Sequence, residues 1–278
     1  MALSPQTVNG FVFFLTLAVT FALPVQSQTT VAVTSEAQST SRPVILLTVD
    51  SHTEQGTYPT LDGWISRLQA RYTNLGDVIT RGLPGYNTKW FLKYVMPTLE
   101  QEITSGAYTT PSLITVWLGT NDAALVNGSS LEMHVPIEEY KENLNQIVPT
   151  PAHIDDDART KYAAERTDTK RGLVDRSDAA TGNYARACVE VANELKVSVL
   201  DLYEHFKAMP VETQKKLLSD GIHFTAAGNK VVDSQFQSKI TSDFPALTDT
   251  LDTWQFPKAS KYVAEDPWTA GNAPSSRS

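Results

Sequence analysis

Short runs of β-branched and aliphatic residues alternate along this chain with apolar stripes at helical spacing, and no other feature limits the fold as strongly. Residues 44–49, Val-Ile-Leu-Leu-Thr-Val, read as a strand buried on both faces. Leu61, Trp64, Ile65, Leu68 and Tyr72 then recur at helical spacing, and Val78 with Ile79 marks a second, short strand past Gly76. Phe91, Val95, Leu99 and Ile103 line one face of another helix, which Pro97 is expected to kink. Residues 112–118 form a third expected strand, and Pro136 opens a helix whose stripe is Ile137, Tyr140, Leu144 and Ile147. A helix over 182–195, a strand over 197–202 and a helix over 226–240, with Val232, Phe236 and Ile240 inward, complete the series. Strands alternating with helices imply βαβ units, hence an α/β fold with a mostly parallel sheet covered on both faces.

A chain of 278 residues fits one large domain with tails better than two domains. Residues 11–23 are apolar apart from Thr16 and Thr20, and Pro24 with a small-residue exit follows. That stretch falls short of the roughly 20 residues a membrane span needs. Residues 1–27 are therefore read as a cleaved signal peptide in preference to a membrane anchor, although no Lys or Arg precedes the apolar run. The expected localisation is secretory, or cytoplasmic if the segment is not a functional signal. Residues 28–42 read as a polar linker, 43–242 as the globular domain, and 243–278 as a tail that packs partly on its surface. The net charge is −8 and no long basic run interrupts it, so a nucleic-acid partner is set aside. The single cysteine, Cys188, excludes an intrachain disulfide and falls on the apolar stripe of a helix.

In open parallel sheets, ligand groups gather beyond the carboxyl ends of the strands. Four polar clusters fall at such ends: Asp50-Ser51, residues 82–88, Gly119-Thr120-Asn121-Asp122, and residues 219–224. Each has an ordinary alternative as a turn or a helix cap. Together they supply the parts that acyl transfer requires. Ser51 offers a hydroxyl that becomes nucleophilic only when a base takes its proton. His223 is the candidate base, and Asp220, three residues earlier, can hold its other ring nitrogen. Asn121 offers an amide, and Gly85 an N–H with no Cβ in the way, for a developing oxyanion. Asp122 is expected to orient the turn around Asn121. His52, His134, His153 and His205 show no metal-ligand spacing and read as surface or loop residues. No phosphate-cradling glycine loop is present, and no metal site is expected.

In order, these segments resemble the SGNH (GDSL-type) hydrolases: Val49-Asp50-Ser51, Gly85, Gly119-Thr120-Asn121-Asp122 and Asp220-Gly221-Ile222-His223. Arg81-Gly82-Leu83-Pro84-Gly85-Tyr86-Asn87-Thr88, with residues 134–140 and 199–203, is similar to the isoamyl-acetate-hydrolysing esterase branch. The resemblance covers about residues 43–240. It implies a three-layer α/β/α sandwich with a flavodoxin-like parallel sheet of five strands and no cofactor. It also implies Ser51 as nucleophile, His223 as base, Asp220 as its partner, and Gly85 with Asn121 as oxyanion hole. The implied reaction is hydrolysis of short-chain, acetyl or lipid-like carboxylic esters of small molecules. Two departures stand out. Val49 replaces the glycine before Asp-Ser, and a β-branched residue resists a left-handed turn. A strand and its lead-in are missing before Pro149-Thr150-Pro151, which leaves a sheet of four strands or one that recruits residues 143–148. The charged stretch 152–181 reads as a mobile lid or, equally, as a solvated helix and linker. Rival functions are deacetylation or acyl transfer on a carbohydrate, and a binding protein that kept the scaffold without the chemistry.

Overall fold

The computed structural model describes residues 15–16, 42–148, 152–256 and 258–261. The expected signal peptide apart from 15–16, the linker apart from Arg42, and the end of the tail lie outside the described residues. The described strands are β1 (Leu15–Thr16), β2 (Val44–Val49), β3 (Asp77–Gly82), β4 (Leu113–Trp117) and β5 (Ile147–Val148). The main sheet has the order β3-β2-β4, all parallel, with Ile45 opposite Val78 on one side and Leu113 on the other.

Side chains of a strand point alternately to its two faces, and β2 divides its residues accordingly between two cores. Ile45 and Leu47 pack with Trp64, Ile65 and Leu68 of helix α2 (Trp64–Arg71) and with Phe236 and Ile240 of α10 (Ala226–Asp243). Leu46 packs on the opposite face against Phe91, Val95 and Leu99. Ile45, Leu46 and Leu47 are all fully buried, so helices cover both faces and the architecture is the three-layer α/β/α sandwich. A third cluster joins Tyr140 and Leu144 of α5 (Ile137–Leu144) to Tyr184, Cys188 and Val191 of α7 (Asp178–Leu195). Cys188 is fully buried there, as its stripe position predicts.

The helices begin where their capping residues direct. Ser51 opens α1 (Ser51–Gly56) directly after β2, with Asp50 as the cap. Ser177 and Thr225 cap α7 and α10 through their hydroxyls. The helical run around Pro97 consists of α3 (Thr88–Trp90), a π-helical turn over Phe91–Val95, and α4 (Met96–Thr104). Proline lacks the N–H for the backbone ladder, and the wider turn just before it absorbs that loss.

Two expectations change. Residues 197–201 form no strand; Asp201 instead caps α8 (Leu202–Lys207), its carboxylate accepting from the Glu204 N–H at 3.0 Å. A cavity of about 40 Å³, lined by Leu113, Thr115 and Trp117 of β4 and by Ser198, Leu200 and Leu202, separates this segment from the sheet. Among the described residues no pairing joins this segment to β4, the edge strand it faces across that cavity. Residues 143–148 contribute only β5, which pairs with β1 in a separate two-stranded ribbon, so Ile147 lies outside the helical stripe. Beyond residue 242, α11 (Pro245–Leu251) packs Phe244, Leu247 and Leu251 into the main core, so the packed unit runs past the expected domain boundary.

Candidate active site

β2 delivers Ser51 to the carboxyl edge of the sheet, at the first turn of α1. Val49 ends β2 opposite Gly82 and Trp117, so its backbone is extended strand and the feared left-handed turn does not arise. Asp220 and His223 arrive from a tight turn closed by a Leu218–Phe224 bridge and by Ser219 N–H donating to His223 O at 2.8 Å. Gly221 within it has φ +87°, a conformation that side chains disfavour. The turn folds Asp220 back: Oδ1 accepts from the Ile222 and His223 N–H groups at 3.0 and 2.9 Å, and Oδ2 lies 2.8 Å from His223 Nδ1. His223 Nε2 lies 2.8 Å from Ser51 Oγ, across 172 positions of sequence. Burial alone would raise the Asp220 pKa, but the hydrogen bonds and charge of His223 and the two backbone donors hold it well below the usual carboxylate range. An anion at Asp220 fixes a proton on Nδ1 and leaves Nε2 as the acceptor facing the hydroxyl.

Gly85 has φ +79°, and a Cβ there would lie 3.3 Å from Met133 Cε. Asn121 is buried, and its Nδ2 donates to Tyr86 O at 2.9 Å, which fastens the turn after β4 to the loop that carries Gly85. Asp122 strengthens the same link, since its Oδ1 accepts from Thr88 N–H at 3.0 Å and from Thr88 Oγ1 at 2.5 Å. Burial pushes the Asp122 carboxyl up to about 6 even so.

Sequence reasoning missed three buried groups. His52 is 2 % exposed, not a surface or loop residue. Its Nδ1 lies 3.2 Å from Asp50 Oδ1 and its Nε2 3.1 Å from Ile222 O, so it spans from the Ser51 turn to the His223 turn. His153 is also buried, 2.6 Å from Asp178. Arg159 and Arg176 meet at Asp175 beside the site. The one available signal was the Asp-x-His spacing of residues 50–52, because burial of a charge depends on packing that no local pattern records. The charged stretch is accordingly a packed arm: α6 (Asp156–Glu165) buries Arg159 and Ala163. Among the described residues no cluster of three or more His, Cys, Asp or Glu side chains could hold a metal ion.

Residues 50–231 match the GDSL-like Lipase/Acylhydrolase family, and the chain belongs to that family. It is by that membership a carboxylic ester hydrolase. A GDSL esterase/lipase of Arabidopsis thaliana is 35 % identical over 73 % of this chain and 87 % of its own length. The isoamyl acetate-hydrolyzing esterase 1 homolog of Rattus norvegicus is 30 % identical over 77 % of this chain and 87 % of that one. Among solved structures, an acetyl xylan esterase has a TM-score of 0.53 at 17 % identity, covering 71 % of this chain and 99 % of its own. A lipase/acylhydrolase from Enterococcus faecalis has a TM-score of 0.51 at 22 % identity, covering 71 % and 95 %. At those identities the two structures speak to the fold alone.

Proposed function

We propose that this chain hydrolyses carboxylic esters with small acyl groups through an acyl-enzyme on Ser51. The observation that carries the reading is the unbroken series Asp220–His223–Ser51, with 2.8 Å at each step. His223 Nε2 takes the hydroxyl proton as Ser51 Oγ bonds to the ester carbonyl carbon, and the carbonyl electron pair moves onto oxygen. Asn121 Nδ2 and the N–H groups of Gly85 and Ser51 receive that oxyanion. Collapse breaks the bond to the alcohol oxygen, which leaves with the proton from Nε2. Water, deprotonated by the same nitrogen, then attacks the acyl carbon, and the acid departs with Ser51 Oγ reprotonated. The substrate is a small-molecule ester, and isoamyl acetate, an acetylated xylan and a lysophospholipid are the candidates to compare.

The rival of a scaffold without chemistry drew its force from Val49 and the missing strand, and the extended backbone at Val49 removes the first of these. The secretory reading of residues 1–27 stands as a proposal, to be checked by sequencing the amino terminus of the mature protein. Among the described residues no helix is long and apolar enough to cross a membrane.

The test is turnover of a short p-nitrophenyl ester together with labelling by a fluorophosphonate. Wild type should turn over and take the label, while Ser51→Ala and His223→Ala should each lose turnover by ~10³-fold or more at an unchanged circular dichroism spectrum. Retained turnover in either variant defeats the assignment.

A further inference from the structure

Asn121 can serve an oxyanion only if its amide nitrogen, and not its oxygen, faces the reacting carbonyl. The two ends of an amide are nearly the same size, so something must distinguish them. Tyr86 O accepts from Nδ2, and on the other side a buried guanidinium grips the oxygen: Arg176 Nη2 donates to Asn121 Oδ1 at 2.8 Å. Arg176 Nε donates to the carbonyl of the preceding residue, Thr120, at 2.6 Å. One planar fork therefore holds both the backbone and the side chain of the turn that carries Asn121. A cation on the amide oxygen also polarises the amide, which strengthens its N–H as a donor.

Arg176 is itself held. Its Nη1 donates to Asp175 O at 3.1 Å and lies 3.7 Å from Asp175 Oδ2. The Asp175 carboxylate is gripped in turn by Arg159, whose Nε and Nη2 donate at 3.0, 2.8 and 2.7 Å. Arg159 Nη1 then donates to Asp220 O at 3.1 Å, the carbonyl of the residue that orients His223. The side chains of Arg159, Asp175 and Arg176 are 4 %, 9 % and 3 % exposed, so this chain of charges is shielded from solvent. Its members come from the arm over 152–176.

We infer that Arg176 is a positioning residue of the oxyanion hole, acting through Asn121, and that Asp175 and Arg159 tie it to the turn carrying Asp220 and His223. The arm is on this view a strut that fixes the distance between the oxyanion donors and the acid–base pair. This inference rests on the proposed role of Asn121.

A double-mutant cycle at Arg176 and Asn121 tests it, read as kcat and KM for a short p-nitrophenyl ester with thermal unfolding in parallel. Removing an oxyanion donor costs ~10²–10³-fold in kcat, so Arg176→Met should cost ~10–100-fold in kcat and change KM by less than ~3-fold. In an Asn121→Ala background the same substitution should cost less than ~3-fold, because there is no amide left to hold. Arg176→Lys, which keeps the charge in case the methionine variant fails to fold, cannot span both Thr120 O and Asn121 Oδ1. It should show the same kcat loss and the same dependence on Asn121. An undiminished loss in the Asn121→Ala background, a loss confined to KM, or an unchanged kcat in a folded variant overturns the inference. Wild-type turnover that does not depend on Ser51 would instead sink the acyl-enzyme reading, and this one with it.

Discussion

The imidazole of His52 lies flat against the indole of Trp117, with ring centroids 5.2 Å apart and planes within 1° of parallel. In that position both ring nitrogens meet acceptors, Asp50 Oδ1 and the carbonyl of Ile222. A carbonyl can only accept, so Nε2 carries a proton, and the carboxylate calls for a second one on Nδ1. Asp50 thus favours the protonated form of the buried His52 ring, which fastens the turn that presents Ser51 to the turn that presents His223. Removing one partner of a buried ion pair costs ~3–5 kcal/mol, because the remaining charge is left uncompensated. His52→Leu should therefore lower the unfolding free energy in urea by about 3 kcal/mol or more. A loss below about 1 kcal/mol would mean that Asp50 finds compensation elsewhere.

The same pair sets a pH dependence. Burial would depress the His52 pKa, but the charge and hydrogen bond of Asp50 outweigh it, with help from Ile222 O and Asp220, and the net shift is upward. His223, the other titratable ring in contact, stands 5.6 Å away. With the folded pKa above the unfolded value of 6.5, the stabilisation is complete below pH 6.5 and is lost as pH rises through the folded pKa. The stability gap between wild type and His52→Asn should therefore narrow from about pH 6.5 upward. Urea titrations of both proteins at a series of pH values read this directly, and a gap that widens with pH contradicts the charged state.

Asp122 carries the same sign, from burial rather than from a partner's charge. Its folded pKa of about 6 exceeds the ordinary value of 3.8, so the folded state binds more protons and stability falls as pH climbs between those values. One oxygen accepts both Thr88 hydrogen bonds while Oδ2 is buried with no hydrogen-bond partner among the described residues. An asparagine keeps a carbonyl toward Thr88 and removes the buried charge. Asp122→Asn should therefore be more stable than wild type at pH 8 by about 1–3 kcal/mol, at one pKa unit to 1.36 kcal/mol. The advantage should vanish near pH 4, as thermal unfolding at the two pH values would show. An equal difference at both would place the effect outside the titration.

What the sequence made legible follows from what is local. Asp220 and His223 share one short turn, so their 2.8 Å contact could be anticipated from a spacing of three. Ser51 could be brought to them across 172 positions only because strand ends in a parallel sheet converge on one edge. Residues 44–49 could be read as a strand buried on both faces, but which residue faces which helical layer shows only in the packing. Residues 197–201 depart from expectation because strand pairing is not local: Val197 and Val199 have the composition of a strand, yet among the described residues the segment pairs with no strand. Arg159, Asp175 and Arg176 sit in a charged stretch that reads as solvated surface, and only packing turns those charges inward. His52 is the same error in one residue, since its burial depends on Trp117, Phe224 and the Ile222 carbonyl coming together around it.

Gly221 tests whether the acid–base turn tolerates any loosening. Its φ of +87° is one that an alanine adopts only with strain. A Cβ there would sit 2.8 Å from both Ala158 Cβ and the Asp155 carbonyl oxygen, and neither atom is the end of a flexible side chain. The Asp155 N–H also donates to Gly221 O at 2.9 Å, so the turn cannot back away from α6 without breaking that bond. Gly221→Ala should then cost about 1–3 kcal/mol in stability. The larger effect falls on turnover, because Asp220 and His223 flank the strained residue. A displacement of about 1 Å at His223 lowers the rate by ~10²-fold. Measured on a short p-nitrophenyl ester at a temperature where the variant is fully folded, kcat should fall by that order. Fluorophosphonate labelling of Ser51, which draws on the same base, should slow in parallel. A variant that loses stability but labels and turns over at the wild-type rate would show that the turn adjusts without moving the imidazole.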